Sequence, residues 1–379
     1  MRPIIRLFHL FVCIVLIGIP MTGMSIEPEV PQFTSDGFRV PQPYAELSFP
    51  ADHASHPQFR IEWWYLTGHL YSEKGQRFGY QATFFRTAIR PEADAPHAAF
   101  GLNQLYLAHM ALTDPNAERF YFEDRFARQG WDAYASESEL DVRNGPWSLT
   151  GENDPFRMRL EASVSSEVGW SLDLVPLKPL IRFGADGTSR KGPAQEARSY
   201  YLSFTRLQTS GTVRIGNSTH TVTGSSWMDH EIASNQLDAS LTGWDWMAIQ
   251  LEDGWEVKAY LLRQEDGSPS SFSACIWISP TGKTYTQGLD SFTWDKSAQW
   301  SSSQTGFSYP TRPILTTRHP ETNQNVTLRF EPVMENQELV LPGSTYWEGA
   351  GTVLDESETV VGSGYLELVG YAGAIDGLR

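Results

Sequence analysis

Cysteine is nearly absent from this chain. Of its 379 residues only Cys13, inside an N-terminal apolar run, and Cys275 are cysteines. A processed chain therefore has no internal disulfide and no cysteine-based metal site. Positive charge is also scarce: 29 Lys and Arg against 45 Asp and Glu give a net charge of −16, which argues against nucleic acid and anionic lipid surfaces as partners. After the first twenty residues no apolar run reaches the length of a membrane-spanning helix. Helical periodicity is sparse, with 127–140 the one stretch that reads as a short helical piece. Gly-x-Ser-x-Gly, His-Glu-x-x-His and a helix-opening Gly-x-Gly-x-x-Gly are all missing, so no nucleophile elbow, zinc helix or dinucleotide turn is indicated. The sequence calls for no metal and no cofactor.

Aromatic residues are abundant. They make up 13% of the chain and include 13 Trp, which points to large cores or to a pocket with flat apolar walls. At the N-terminus, Arg2 and Arg6 precede an apolar stretch over 7–19. This is the pattern of an export signal, over residues 1–24, with small residues near Met21-Thr22-Gly23 as a weak cleavage site. The expected location is periplasmic or secreted, with an uncleaved membrane anchor as the alternative. Residues 25–58 carry Pro28, Pro31, Pro41, Pro43, Pro50 and Pro57 and read as an extended arm. His53 and His56 lie in it without a helix to hold them, so they read as solvated loop histidines rather than metal ligands.

From residue 60 the pattern is β. Aromatic and β-branched runs over 61–71, 78–86, 105–113, 119–125 and 199–207 are separated by turn residues. A hairpin over 212–215 and 219–223 turns at Gly216-Asn217-Ser218. The second half repeats the plan: 244–251, a turn at Glu252-Asp253-Gly254, and a return over 255–263. The closing strand, 364–371, corresponds in this reading to 201–207. The expected fold class is all-β, with two tandem antiparallel barrels over 59–216 and 217–379.

One stretch concentrates chemistry. Trp227-Met228-Asp229-His230-Glu231 follows a turn-like Gly224-Ser225-Ser226 and precedes Gly243-Trp244-Asp245-Trp246. In an extended segment Trp227, Asp229 and Glu231 share one face, and Met228 and His230 share the other. Two close carboxyls beside an aromatic wall can hold one proton between them. The alternative is a strand end whose polar residues bond a neighbouring loop. By the same alternation Glu62 shares a face with Trp64, and an inward Glu62 would take Arg86 as its counterion in a salt bridge at the domain interface. Lys258 and Tyr260 share a face. His109 reads as a core or edge histidine.

Taken in order, Glu62-Trp63-Trp64-Tyr65, Phe78-Gly79-Tyr80-Gln81, Trp227-Met228-Asp229-His230-Glu231, Gly243-Trp244-Asp245-Trp246 and Gly364-Tyr365-Leu366-Glu367 resemble the AttH/CrtC-type lipocalin-like proteins, from about residue 45 to about 373. The resemblance implies two lipocalin-like barrel domains. One branch of that family contains carotenoid 1,2-hydratases, which add water to an isolated C=C bond. Another comprises exported proteins encoded beside ABC-transporter genes and labelled predicted secreted hydrolases. The export signal and the Trp-Met-Asp-His-Glu form are more similar to the second, although no hydrolase motif is present.

Hydration of an alkene needs a strong proton donor and walls that tolerate positive charge. Asp229 or Glu231 would be the acid, with the other placing water, and His230 a supporting partner or base. Trp64, Trp227, Trp244 and Trp246 would form the aromatic wall, each with plain core packing as its alternative. Glu62, Lys258 and Tyr260 would add polar groups to the pocket. Two functions follow: a hydratase or other lyase acting on a hydrophobic small molecule, or a non-catalytic carrier that hands a lipid-like ligand to an ABC-transporter permease in the envelope.

Overall fold

The computed structural model describes residues 29–91, 103–130, 132–153, 156–235, 238 and 240–373. The 1–24 export signal therefore lies outside the described residues. The first sheet contains β1 (Ile61–Ser72), β2 (Arg77–Ala88), β3 (Gln104–Asp114), β4 (Arg119–Arg128), β5 (Ala133–Ala135), β6 (Asp141–Asn144), β7 (Trp147–Asn153), β8 (Phe156–Val164), β9 (Val168–Pro176), β10 (Ile181–Arg182), β11 (Ser189–Arg190), β12 (Arg198–Ile215) and β13 (Ser218–Ala233). Its order is β4-β3-β2-β1-β13-β12-β9-β8-β7-β6-β5, with β10 and β11 paired to β12. The sheet curls until its ends approach, and the Asn144 side-chain amide bridges the seam to the carbonyls of Tyr106 and Arg125.

The second sheet is built from β14 (Leu241–Leu251), β15 (Glu256–Gln264), β16 (Ala274–Ile278), β17 (Thr284–Gln287), β18 (Thr293–Asp295), β21 (Ile314–Arg318), β22 (Asn325–Pro332), β23 (Glu338–Leu341), β24 (Ser344–Leu354) and β25 (Val360–Val369); β19 (Trp300–Ser301) and β20 (Ser308–Tyr309) pair separately. Its order is β17-β16-β15-β14-β25-β24-β22-β21-β18. Its seam is spanned by Gln287, which accepts from Thr317 Oγ1 at 2.7 Å and donates to the Arg318 carbonyl. The fold is all-β with two barrel-like domains. The short helix expected over 127–140 is not there: β4 runs to Arg128 and β5 starts at Ala133. Among the described residues the one helical turn is Ala51–His53 in the arm.

Two expectations about the chain's division change. The boundary placed at 216 falls inside the hairpin of β12 and β13, and β13 also pairs with β1 along its length. The sheets part company only after Ala233. Gly224-Ser225-Ser226 is not a turn; it continues β13, facing Leu70, His69 and Gly68 of β1. The repeat itself is real in topology, but β25 lies beside β14 as β13 lies beside β1. The closing strand thus corresponds to β13 rather than to 201–207 in β12.

Alternation explains how the barrels meet. On β1, Trp64, Leu66 and Leu70 enter the core of the first barrel, while Trp63 and Tyr65 face the second. On β14, Met247, Ile249 and Leu251 fill the second core, while Trp246 and Ala248 face the first. Both faces of these strands are buried because each belongs to a barrel wall and to the junction between barrels. A bulge between Phe204 and Leu207 in β12 accompanies an ionic latch across the junction. There the buried Glu256 accepts from Arg206 Nε at 2.6 Å and from Lys178 Nζ at 2.5 Å.

Candidate active site

A cavity of about 260 Å³ lies between the two sheets. Trp63 and Tyr65 of β1, Phe85 of β2, His109 of β3, Tyr201 of β12 and Asp229 and Glu231 of β13 line one side, with Lys191 above them. Trp244 and Trp246 of β14, Tyr260 of β15, Tyr346 of β24 and Glu367 of β25 line the other. The walls are related by topology. Tyr65 sits opposite Asp229 across β1 and β13, and Trp246 sits opposite Glu367 across β14 and β25. Each barrel thus presents an aromatic–carboxyl pair from equivalent strands.

Three donors converge on Asp229. Trp227 Nε1 and the Tyr201 hydroxyl each lie at 2.6 Å, and the Ser203 hydroxyl completes the set. Glu231 accepts from Ser199 Oγ at 2.5 Å and pairs with Lys191 Nζ at 3.2 Å. Glu367 is different. Burial, reinforced by the nearby charges of Asp229 and Glu231, pushes its carboxyl up to about 7, against the opposing pull of Trp244 Nε1, which donates to Oε2 at 2.7 Å. Directly across the ladder lies Glu348, fully buried and pushed well above the carboxylate range by burial and by Glu367. Like charges facing each other on adjacent strands are unfavourable, so each carboxyl of this pair favours its protonated form while the other is ionised. The Tyr201 phenol is likewise held protonated, first by burial and then by Asp229.

His109 contacts the Tyr346 hydroxyl through Nδ1 at 2.9 Å, and burial lowers its pKa to about 3. His69, at the barrel junction, donates Nε2–H to the Gly364 carbonyl at 2.9 Å; burial, then the neighbouring Arg77, lowers it to about 3. Both are neutral imidazoles in the folded chain. Between pH 6.5 and about 3 the unfolded chain takes up protons that the folded chain refuses. Their stabilising contribution is therefore complete above 6.5 and is lost as pH falls through that window, at up to about 1.4 kcal/mol per pH unit for each imidazole. Urea midpoints measured across the window should fall with acid, and less steeply in His69→Gln.

The arrangement combines a carboxyl that burial raises to about 7, two carboxyls held in place by donors, and seven indole or phenol side chains around one apolar space. The sequence matches the AttH-like family over residues 40–371. The chain belongs to the AttH-like family. A crystal structure of an AttH candidate from Nitrosomonas europaea is 34% identical, with a TM-score of 0.78 over 88% of this chain and 99% of that one. Kievitone hydratase from Nectria haematococca shares the fold at 13% identity, with a TM-score of 0.64 over 91% of this chain and 98% of its own. CghA, solved with Sch210972, shares it at 11% identity and a TM-score of 0.51, over 90% of this chain and 98% of that one. No curated protein matches the sequence closely enough to lend a function.

In this AttH-like chain the residues expected to form one pocket divide between two places. Asp229, Glu231, Trp244, Trp246 and Tyr260 line the cavity. Trp227 and Lys258 stand behind its wall: Trp227 holds Asp229, and Lys258 Nζ lies 3.0 Å from the centre of the Tyr201 ring. His230, Glu62 and Trp64 are not in the cavity. They sit on the opposite strand faces, inside the first barrel, where His230 Nε2 lies 2.8 Å from Glu62 Oε1 and His230 stacks on Trp64 at 4.9 Å. The reason is the period-two alternation itself, in strands with no solvent face to identify the outside. The Glu62–Arg86 ion pair is present at 3.0 Å, but within the first barrel rather than at the domain interface. His53 and His56 are not solvated loop histidines. His53 is buried against Phe156, and His56 bonds Glu62. Among the residues that sequence reasoning passed over are Glu367, Tyr201 and Lys191. Glu367 had a readable signal, an acid between two leucines in an otherwise apolar strand; Lys191 lies in an irregular stretch and had none.

Proposed function

We infer that this AttH-like protein encloses an apolar, unsaturated small molecule between its barrels and adds water to a carbon–carbon double bond. Glu367 is the general acid. Its O–H delivers a proton to one alkene carbon, and positive charge develops on the other. The faces of Trp63, Trp244 and Trp246 attract that charge. Water attacks the cationic carbon through oxygen, and its spare proton passes to the Asp229 or Glu231 carboxyl, which returns the cluster's proton balance to the start. The product is the alcohol, with no redox change. The observation that carries this reading is the buried Glu367 carboxyl, raised to about 7, facing two further carboxyls across an aromatic-walled cavity. That kievitone hydratase shares the fold supports hydration as the reaction class.

The test supplies acyclic isoprenoid alkenes to the protein in H₂¹⁸O and follows product mass. Incorporation of ¹⁸O by the wild-type chain, absent in Glu367→Gln, is the expected result. Retained binding, seen as tryptophan quenching, with no incorporation by the wild-type chain would favour the carrier that serves an envelope transporter instead.

A further inference from the structure

A second cluster, on the face of β13 turned away from Asp229 and Glu231, takes no part in that reaction. His56 from the arm, Glu62 of β1 and His230 of β13 direct three ligand atoms toward one point, all within 4.8 Å of one another. His56 Nδ1 and His230 Nε2 lie 2.9 and 2.8 Å from the same oxygen, Glu62 Oε1. Of the atoms that point away, those of Glu62 and His56 are engaged, whereas the buried His230 Nδ1 has no hydrogen-bond partner among the described residues. Glu62 Oε2 accepts from Ser55 Oγ, from the His56 backbone N–H and from Arg86 Nε at 3.0, 2.8 and 3.0 Å. His56 Nε2 meets Asp52 Oδ1 at 3.2 Å.

We propose that His56 Nδ1, His230 Nε2 and Glu62 Oε1 bind one divalent cation of the zinc class. Two imidazole nitrogens and one carboxylate oxygen suit Zn²⁺ and its first-row neighbours, whereas Ca²⁺ and Mg²⁺ favour oxygen donors. The surroundings have the form that orients metal ligands. A carboxylate holds the far nitrogen of His56, and three donors hold the far oxygen of Glu62, leaving Oε1 as a single-point ligand. Tetrahedral coordination with bonds of about 2.0–2.2 Å needs donor atoms about 3.2–3.5 Å apart, so the two N···O pairs open by about half an ångström when the ion enters. When the ion binds, His56 gives its Nδ1 proton to solvent and keeps Nε2–H toward Asp52, while the neutral His230 moves its proton from Nε2 to Nδ1. Water completes the coordination.

Such an ion ties three separate pieces of chain together: the arm, β1 and β13. It fastens the arm over the end of the first barrel, and it fixes β13, whose other face carries Asp229 and Glu231. It never touches the cavity.

The test uses the untagged protein, stripped with a chelator, equilibrated with one equivalent of Zn²⁺, desalted and measured by elemental mass spectrometry. The expected result is one zinc per folded chain, with retention reduced at least about tenfold in His56→Gln. Saturating Zn²⁺ should also slow protease cleavage of the arm at least about tenfold, because binding favours the docked state. Co²⁺ added to the wild-type protein should give the visible absorption of a four-coordinate site, a readout that needs no variant to fold. A folded wild-type chain that retains no zinc and gives no cobalt absorption overturns the proposal. So does retention unchanged in His56→Gln, which would place the ion on other histidines.

Discussion

Glu367→Gln is expected to lower turnover by about 10²–10⁴-fold, the range contributed by a well-placed proton donor, with ligand binding preserved. The amide keeps the side chain's size and still accepts from Trp244 Nε1, which lies 2.7 Å from Oε2, but it has no acidic proton to give. The pH profile provides a second, independent sign. The active form is the protonated one, so activity falls as pH rises through about 7, by about tenfold per unit beyond it; a catalytic base would show the opposite limb. Two variants should move that limb in opposite directions. Trp244→Phe removes the donor that favours the ionised form, so Glu367 titrates higher and the limb moves to higher pH. Asp229→Asn removes a nearby negative charge, so Glu367 titrates lower and the limb moves down. Rates measured across neutral pH on one substrate would decide both.

Arg86→Met should be among the most destabilising single changes in the first barrel, costing about 3–5 kcal/mol, because it takes the guanidinium away from a buried carboxylate that then keeps only its histidine and neutral donors. Arg86 is 1% exposed and Glu62 0%. The guanidinium also donates to Gln104 Oε1 and to the carbonyls of His56 and Phe59, at 2.9, 3.1 and 2.9 Å, so the loss includes the arm's attachment. Glu62→Gln made together with Arg86→Met should recover part of the loss, since no charge is then left unpaired. The urea midpoint is the measurement. A loss below about 1 kcal/mol would mean that the pair behaves like an exposed one.

The architecture was legible because β signals are local. Aromatic runs such as 61–71, their turns and the echo of 63–86 in 244–263 all survive in single-sequence form. Which face of a strand points where was not legible, because facing is read from the contrast between wet and dry sides. In β1 and β13 that contrast is absent: Trp64 is buried in one barrel's core and Tyr65 in the junction between barrels. Asp229, His230 and Glu231 therefore read as one constellation although they serve two. Glu367 and the Glu62–His230 contact escaped for another reason. Their partners are distant in the chain: Glu62 pairs with His230, 168 residues on, and Glu367 bonds Trp244, 123 residues before it. No spacing rule reaches that far.

The doubly buried wall strands have a consequence for how this protein can be divided. A strand with two dry faces cannot close one barrel and then wait in water for the other. Cut at the connection after Ala233, each half would keep a complete sheet and yet display the junction surface, with Tyr65, Trp227 and Tyr201 on one piece and Trp246, Tyr260 and Tyr365 on the other. Exposed patches of that kind drive association. The two halves are thus obligate companions rather than interchangeable modules, and each is soluble only while it shields its neighbour. Expressed alone, either should aggregate; expressed together as separate chains, they should find one another.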